Sequence, residues 1–319
     1  MIGRHHPSSL YAGVELGGTK CICTLATGPD HIVEQSTIPT ESPEQTLSAI
    51  IAVLTRWWQQ WGFNALGVAS FGPIDLNPRS ASYGRILATN KQGWSGTDVR
   101  GRIAASFPVP VGFDTDVNGA ALAERHWGCA IGLDDFAYVT VGTGIGVGLL
   151  VHGAPTRGIG HSEIGHLRVP RLPGDAAPSA CRFHDDCVEG LASGTAVRQR
   201  FGDRPIDRAT ADDPIWNPVV DALATMCHAL VCTTGPMRIA IGGGVVSRQP
   251  HLLDRIEIAL QRSLNGYMEL PDGGRYIVAP KLGDLAGPLG AIAIAIGADA
   301  SVQTTQSDQA ATDRRRDAG

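Results

Sequence analysis

Charge is scarce in this chain, and no stretch of its body is basic. Lys, Arg, Asp and Glu make up 18% of the 319 residues, and the net charge is −5. Nucleic acid and anionic membrane surfaces therefore find little to hold here. The start, MIGRHHPSSL, lacks an apolar h-region, so no signal peptide is read there. No apolar run reaches the ~20 residues that cross a bilayer. Residues 285–300 are apolar but shorter, rich in Gly and Ala, and read as a buried helix. Seven cysteines, an odd number, do not make a disulfide framework. Cys21, Cys23, Cys129, Cys227 and Cys232 sit in apolar settings and read as buried thiols in a reducing cytoplasm. Low-complexity tracts are absent too, since the 40 glycines cluster in short motifs. What remains is a globular composition, 43% hydrophobic, with length enough for two domains of ordinary size.

The densest chemistry lies in residues 161–194, HSEIGHLRVPRLPGDAAPSACRFHDDCVEGLASG. Cys181, His184 and Cys187 are each separated by two residues, so one tight turn aims three ligands at a point. His166 supplies a fourth from outside that turn. Two thiolates and two imidazoles suit tetrahedral Zn²⁺, and a full protein shell makes the metal structural. The opposing reading is of scattered thiols and histidines. Glu163 and Glu189 flank the ligands, and a rigid clamp would fix both. Losing the metal is then expected to loosen both carboxylates. Zinc-bound His166 keeps only its second ring nitrogen for a solute.

Upstream, residues 11–17 and 20–26 read as strands joined by ELGGTK, with Gly17, Gly18, Thr19 and Lys20 in the turn. Glycines let backbone N–H groups approach a phosphate, and Thr19 and Lys20 add a donor and a charge. An ordinary Gly-Gly hairpin fits that stretch equally well. A second hairpin repeats it: strand 137–141, the turn Gly142-Thr143-Gly144-Ile145-Gly146-Val147-Gly148, then strand 149–152. The pair implies a duplicated fold with a phosphate-binding hairpin in each half. Strand 109–113 runs into Asp114-Thr115-Asp116-Val117-Asn118 and a helix at 119–127. Two aspartates compete to cap that helix, which leaves one for other work at a strand end. Asn90, in a loop over 82–94, is turn chemistry or a donor–acceptor for a polyol. Gly242, Gly243 and Gly244 close a strand over 237–241 and form a tight βα turn or a nucleoside seat. Helices are predicted from Pro43 to about residue 60, over 213–234, 250–265 and 286–296. Trp57, Trp58 and Trp61 on the first read as core or interface. From about residue 300 the polar tail reads as unstructured, with Arg314–Arg316 solvated.

Together these motifs, over residues 11–297, resemble the ROK family of sugar kinases and repressors, and within it the bacterial fructokinases. ELGGTK resembles the first phosphate motif, with Glu15 where Asp is usual. Residues 142–146 resemble the second phosphate motif, and Gly242–Gly244 the adenosine motif. Asp116 falls at the family's catalytic Asp. Glu163-Ile164-Gly165-His166 resembles its Glu-x-Gly-His sugar motif. The spacing Cys181-x-x-His184-x-x-Cys187, and His161 before Glu163, match the fructokinase branch.

The resemblance implies a two-lobed actin-like ATPase (ribonuclease H-like) fold with a cleft. The smaller lobe is expected over 1–117 plus about 286–298, the larger over 118–285 with the zinc loop, and the tail over 300–319. It implies transfer of a phosphoryl group from ATP to the 6-hydroxyl of a hexose, with D-fructose expected. Asp116 would be the base, Glu15 near Mg²⁺, and Asn90, Asn118, Glu163, His166 and Glu189 on sugar hydroxyls. A cytoplasmic homodimer is expected, with no nucleic-acid or membrane partner. Glucose, mannose or N-acetylmannosamine stay open as acceptors, as does a non-catalytic sugar binder. Repressors of this family add an N-terminal helix-turn-helix, for which a first hairpin beginning by Gly13 leaves no room.

Overall fold

The computed structural model describes residues 9–271 and 274–317. Residues 1–8 of the stretch lacking an h-region lie outside it. The chain divides into two compact units. Unit 1 comprises 1–123, 157–161 and 284–319, and unit 2 comprises 124–156 and 162–283. The expected boundary was 117; the division falls inside a helix at 123/124, and a five-residue strap, 157–161, also belongs to unit 1.

Unit 1 contains strands β1 (Tyr11–Leu16), β2 (Lys20–Gly28), β3 (His31–Pro39), β4 (Ala65–Ser70) and β5 (Val111–Thr115). They form one sheet in the order β3-β2-β1-β4-β5. The first three make an antiparallel meander; β4 and β5 run parallel to β1. Strand alternation sorts the faces. Ala12, Val14 and Leu16 enter the core with Leu47, Ile50, Leu54 and Trp57 of helix α1 (Pro43–Gln60). Ser42 caps α1 and Pro43 opens it, as the sequence predicts. Trp57 is fully buried, whereas Trp61 is exposed. A short helix, α2 (Val99–Ala104), follows the loop carrying Asn90.

The other sheet face receives the C-terminal helix, Ala286–Asp317. Gly13, Gly67 and Gly112 stand side by side across β1, β4 and β5. A Cβ at Gly13 would lie 2.9 Å from the Ala291 Cβ, and one at Gly112 2.6 Å from the Ile294 side chain. At Gly67 it would collide with the Ala291 carbonyl oxygen. This glycine row lets the helix backbone approach the sheet. The tail expected to be unstructured from about 300 instead continues the helix to Asp317, Arg314–Arg316 included. From 298 to 317 no Gly or Pro interrupts it, so helix propensity carries it on despite its polarity.

Helix α3 (Asp116–Trp127) begins three residues before the expected start at 119, and Asp114 is the fourth residue of β5. The cap is neither aspartate: the Thr115 Oγ1 accepts from the Asn118 N–H at 3.1 Å.

Unit 2 repeats the unit 1 topology. Strands β6 (Phe136–Val141), β7 (Ile145–Val151) and β8 (Ala154–Pro155) form the meander. Helices α4 (Val188–Ala192), α5 (Gly194–Phe201) and α6 (Asn217–Thr233) follow. Then come β9 (Ile239–Gly242), α7 (Gly244–Arg248), α8 (His251–Leu264) and β10 (Ile277–Val278). The sheet order is β10-β9-β6-β7-β8, with β9 and β10 parallel to β6. Strand β7 starts at Ile145 rather than 149, so only residues 142–144 form the turn. The sequence count missed that glycines at alternate positions still pair in a ladder.

By length and composition alone, Pro214–Thr233 and Gly283–Gln303 match membrane spans, which the sequence reading did not anticipate. Both bury apolar residues inside their units: Leu223, Met226 and Leu230 in one, Leu289, Ala291 and Ile292 in the other. Of the thiols expected to be buried, Cys21, Cys23 and Cys227 are, Cys129 is half-buried, and Cys232 is exposed. The Cys232 position, near the end of α6, faces away from the core stripe.

Candidate active site

In unit 1 the ends of β1 and β5 carry the acidic groups. Gly13 and Glu15 share the face that meets the C-terminal helix, and a Cβ at Gly287 would collide with the Glu15 carboxylate. Burial first, then the nearby Asp116 charge, pushes the Glu15 carboxyl up to about 7, against the pull of Lys20. Asp116 is half-buried and its Oδ1 accepts from the Val117 N–H at 2.9 Å. Asn118 lies deeper, 1% exposed, with its Nδ2 donating to the Asp114 Oδ1 at 2.7 Å. Asp114 also pairs with Arg157 of the strap. The strap's other end is held too, where the Ile74 N–H donates to the His161 Nε2 at 3.3 Å. Asn118 thus has little surface for a solute, while Asn90 is exposed.

The first Gly/Thr turn, residues 17–20, is tied back through its carbonyls. Thr40 Oγ1 donates to the Gly17 oxygen at 2.7 Å, the Thr40 N–H to the Thr19 oxygen at 2.9 Å, and the Lys91 ammonium to the Gly18 oxygen. Thr40 and Lys91 escaped the sequence reading because they lie outside the motif. Thr19 and Lys20 are exposed.

In unit 2 the turn 142–144 is tied back in the same way. The Gly194 N–H donates to the Gly142 oxygen at 2.7 Å, and Thr195 Oγ1 to the Thr143 oxygen at 2.9 Å. The Ile145 N–H donates to the Glu189 Oε2 at 3.0 Å. Beside the turn opens a cavity of about 880 Å³, lined by Thr143, Arg198, Trp216, Gly244 and Arg248 among others. That size suits a cofactor-sized ligand. Gly243 has φ +87°, and a Cβ there would sit 2.6 Å from Val141 backbone atoms, so only glycine fits. Gly242 is buried against Pro280, and Gly244 opens onto the cavity.

The four candidate metal ligands converge. The ligand atoms of His166, Cys181, His184 and Cys187 all lie within 4.8 Å of one another. Cys181 Sγ is 3.6 Å from His166 Nδ1 and 3.7 Å from His184 Nδ1, and Cys187 Sγ is 3.8 Å from His166 Nδ1. Tetrahedral Zn–S and Zn–N bonds require edges of roughly 3.6 Å, so the residues fit the ion. Each sulfur also receives a backbone N–H, from Phe183 at 3.4 Å and Gly190 at 3.3 Å, which favours thiolate. Burial pushes the Cys187 thiol up to about 11, a cost that a bound cation offsets. His166 presents Nδ1 to the sulfurs, which leaves Nε2 for a solute. Glu163 is exposed at the start of the 3₁₀ turn Ile164–His166. Cys187 caps α4, and Glu189 sits in its first turn.

The sequence profile of the ROK family matches residues 11–298. The chain belongs to the ROK family. A fructokinase of Pediococcus pentosaceus is 37% identical over 286 residues, covering 90% of this chain and 97% of the relative. A fructokinase of Zymomonas mobilis is 38% identical over 294 residues, covering 91% and 97%. Among solved structures, a ROK hexokinase from Thermus thermophilus superposes with a TM-score of 0.74 at 29% identity, covering 90% of this chain and 98% of that one. The fold of this ROK protein is α/β and actin-like, and its two sheets of like order are the duplication that the paired hairpins predict.

Proposed function

We propose that this ROK protein is an ATP-dependent hexose kinase that phosphorylates D-fructose at its 6-hydroxyl. The observation that carries the reading is the proximity of Asp116, at the head of α3, to the half-buried Glu15, which leads into the first Gly/Thr turn. Asp116 accepts the proton of the 6-hydroxyl as the new phosphorus–oxygen bond forms. Glu15 is the carboxylate that would stand near Mg²⁺ brought with ATP, which would supply charge to neutralise the phosphates. Gly17, Gly18, Thr19 and Lys20 in unit 1 and Gly142, Thr143 and Gly144 in unit 2 serve the phosphates. Gly242–Gly244 and the 880 Å³ cavity serve the nucleoside. Asn90, Glu163, Glu189 and His166 Nε2 take sugar hydroxyls, and Asn118 supports them through Asp114. His166, Cys181, His184 and Cys187 hold a structural Zn²⁺.

The fructokinase relatives supply the acceptor in this reading. A homodimer in a reducing cytoplasm belongs to it as well; seven cysteines with no disulfide among the described residues fit that compartment. The test is a coupled ADP-release assay with fructose, glucose, mannose and N-acetylmannosamine. Fructose should give the highest kcat/KM. ADP release that is the same with and without any hexose would overturn the reading.

A further inference from the structure

The two phosphate turns share a device that lies outside their motifs. In unit 1 the carbonyls of Gly17 and Gly18 are held by Thr40 Oγ1 and the Lys91 ammonium. In unit 2 the carbonyls of Gly142 and Thr143 are held by the Gly194 N–H and Thr195 Oγ1. A trans peptide is planar, so its N–H points opposite to its C=O. Holding those carbonyls inward turns the N–H groups of Gly18 and Thr19 outward in one turn, and those of Thr143 and Gly144 outward in the other. Among the described residues these four N–H groups have no protein acceptor. Each turn thus presents a pair of consecutive N–H donors, the arrangement that receives an anion.

We propose that Thr40 and Thr195 are positioning residues for nucleotide phosphates: their hydroxyls lock the carbonyls of the two turns and so aim the backbone donors. The proposal rests on the kinase reading for the identity of the ligand. Thr195 is the sharper case. Its Oγ1 donates to the Thr143 carbonyl while accepting from the Arg198 guanidinium at 3.2 Å, and Arg198 lines the cavity beside the turn. A donor polarised by a cation makes a stronger hydrogen bond. Neither threonine touches the ligand in this account; each acts through backbone.

The test compares Thr195→Val, Thr195→Ser, Thr40→Val and Thr40→Ser in the full chain. Titration with Mg²⁺ and a non-hydrolysable ATP analogue gives nucleotide affinity, and a fructose titration gives hexose affinity. Each Val variant should weaken the nucleotide about five- to tenfold, the loss of one hydrogen bond. Each Ser variant should restore it, and fructose affinity should stay within about twofold. Amide exchange at 142–145 should quicken in Thr195→Val even without nucleotide, which separates a loosened turn from a misfolded chain. Wild-type protein that binds no nucleotide sinks the kinase reading and the ligand named here. Wild-type binding with unchanged affinity in both Val variants overturns the locking role alone, as does equal weakening by Val and Ser.

Discussion

Asp114 Oδ1 accepts from the Asn118 amide at 2.7 Å, one helical turn further along the chain, and from the Thr115 N–H at 2.8 Å. Its second oxygen pairs with Arg157 of the strap. One 4%-exposed carboxylate therefore joins β5, the first turn of α3 and the strap. Asp114→Ala should strip three donors of their acceptor and cost about 1–3 kcal/mol in urea unfolding. The same variant should also lower hexose affinity, because the strap runs on to His161 and Glu163. Unchanged stability would mean that water replaces the carboxylate without loss.

Asp116 sits beside this node and has a different task in the proposed reaction. Thr115 already caps α3, so Asp116→Asn removes basicity and leaves the helix start in place. Turnover with fructose should fall at least ~10²-fold, in the range for a lost general base, while the unfolding midpoint holds. Wild-type turnover in this variant would remove proton acceptance from the mechanism.

Glu15 gives a pH dependence with a defined sign. In the folded state burial and the Asp116 charge push its carboxyl up to about 7 from the ordinary 4.5. The folded state therefore binds more protons than the unfolded state between those values, and stability falls as pH rises through the window. The full span is worth about 3 kcal/mol at most. Without Mg²⁺, wild-type protein should lose urea resistance from pH 5 to 8. Glu15→Gln should flatten that slope and be the more stable of the two at pH 8. Parallel slopes for the two proteins would place the ionisation elsewhere.

The parts of this molecule that the sequence revealed are those written locally. Two Gly/Thr turns between alternating strands disclosed the duplication, and four candidate ligands within 22 residues of one another disclosed the Cys/His cluster. What stayed hidden depends on partners far apart in sequence. Arg157 meets Asp114 across 43 residues and Thr195 meets Thr143 across 52, with no periodicity to announce either. Thr115 was overlooked as a cap because two aspartates stood beside it. The tail was misjudged because polarity outweighed helix propensity, although no Gly or Pro breaks 298–317.

Glycines in the two kinds of site should respond in opposite ways. Gly67 lies under the C-terminal helix, where a Cβ meets the Ala291 carbonyl oxygen, whereas Gly142 has nothing within 4 Å of its Cβ position. Gly67→Ala should cost about 3 kcal/mol or more, since backbone must move. Gly142→Ala should keep its unfolding midpoint and lose nucleotide affinity. Gly144 is a poorer probe of the turn, because its Cβ would sit 2.5 Å from the Glu189 Oε2 and disturb a proposed sugar ligand as well. Equal stabilities for Gly67→Ala and wild type would show that the helix can lift from the sheet.

Metal removal tests the clamp and its reach together. Protein purified without a metal-affinity tag should carry about one Zn²⁺ per chain by elemental analysis. Cys187→Ser replaces a good ligand with a poor one and should lower that content, along with thermal stability. The sequence alone predicts that hexose affinity then suffers more than nucleotide affinity. The structure changes that expectation. Cys187 caps α4, Glu189 in the first turn of α4 accepts from the Ile145 N–H, and Gly194 and Thr195 just beyond hold the carbonyls of the turn 142–144. A loosened clamp should therefore weaken nucleotide as well as fructose, each by about tenfold, the scale of losing a shared support. Added Zn²⁺ should restore both in chelator-treated wild type but not in Cys187→Ser. Active protein with no zinc would remove the metal from this account, and zinc loss that spares nucleotide binding would confine the clamp to the sugar.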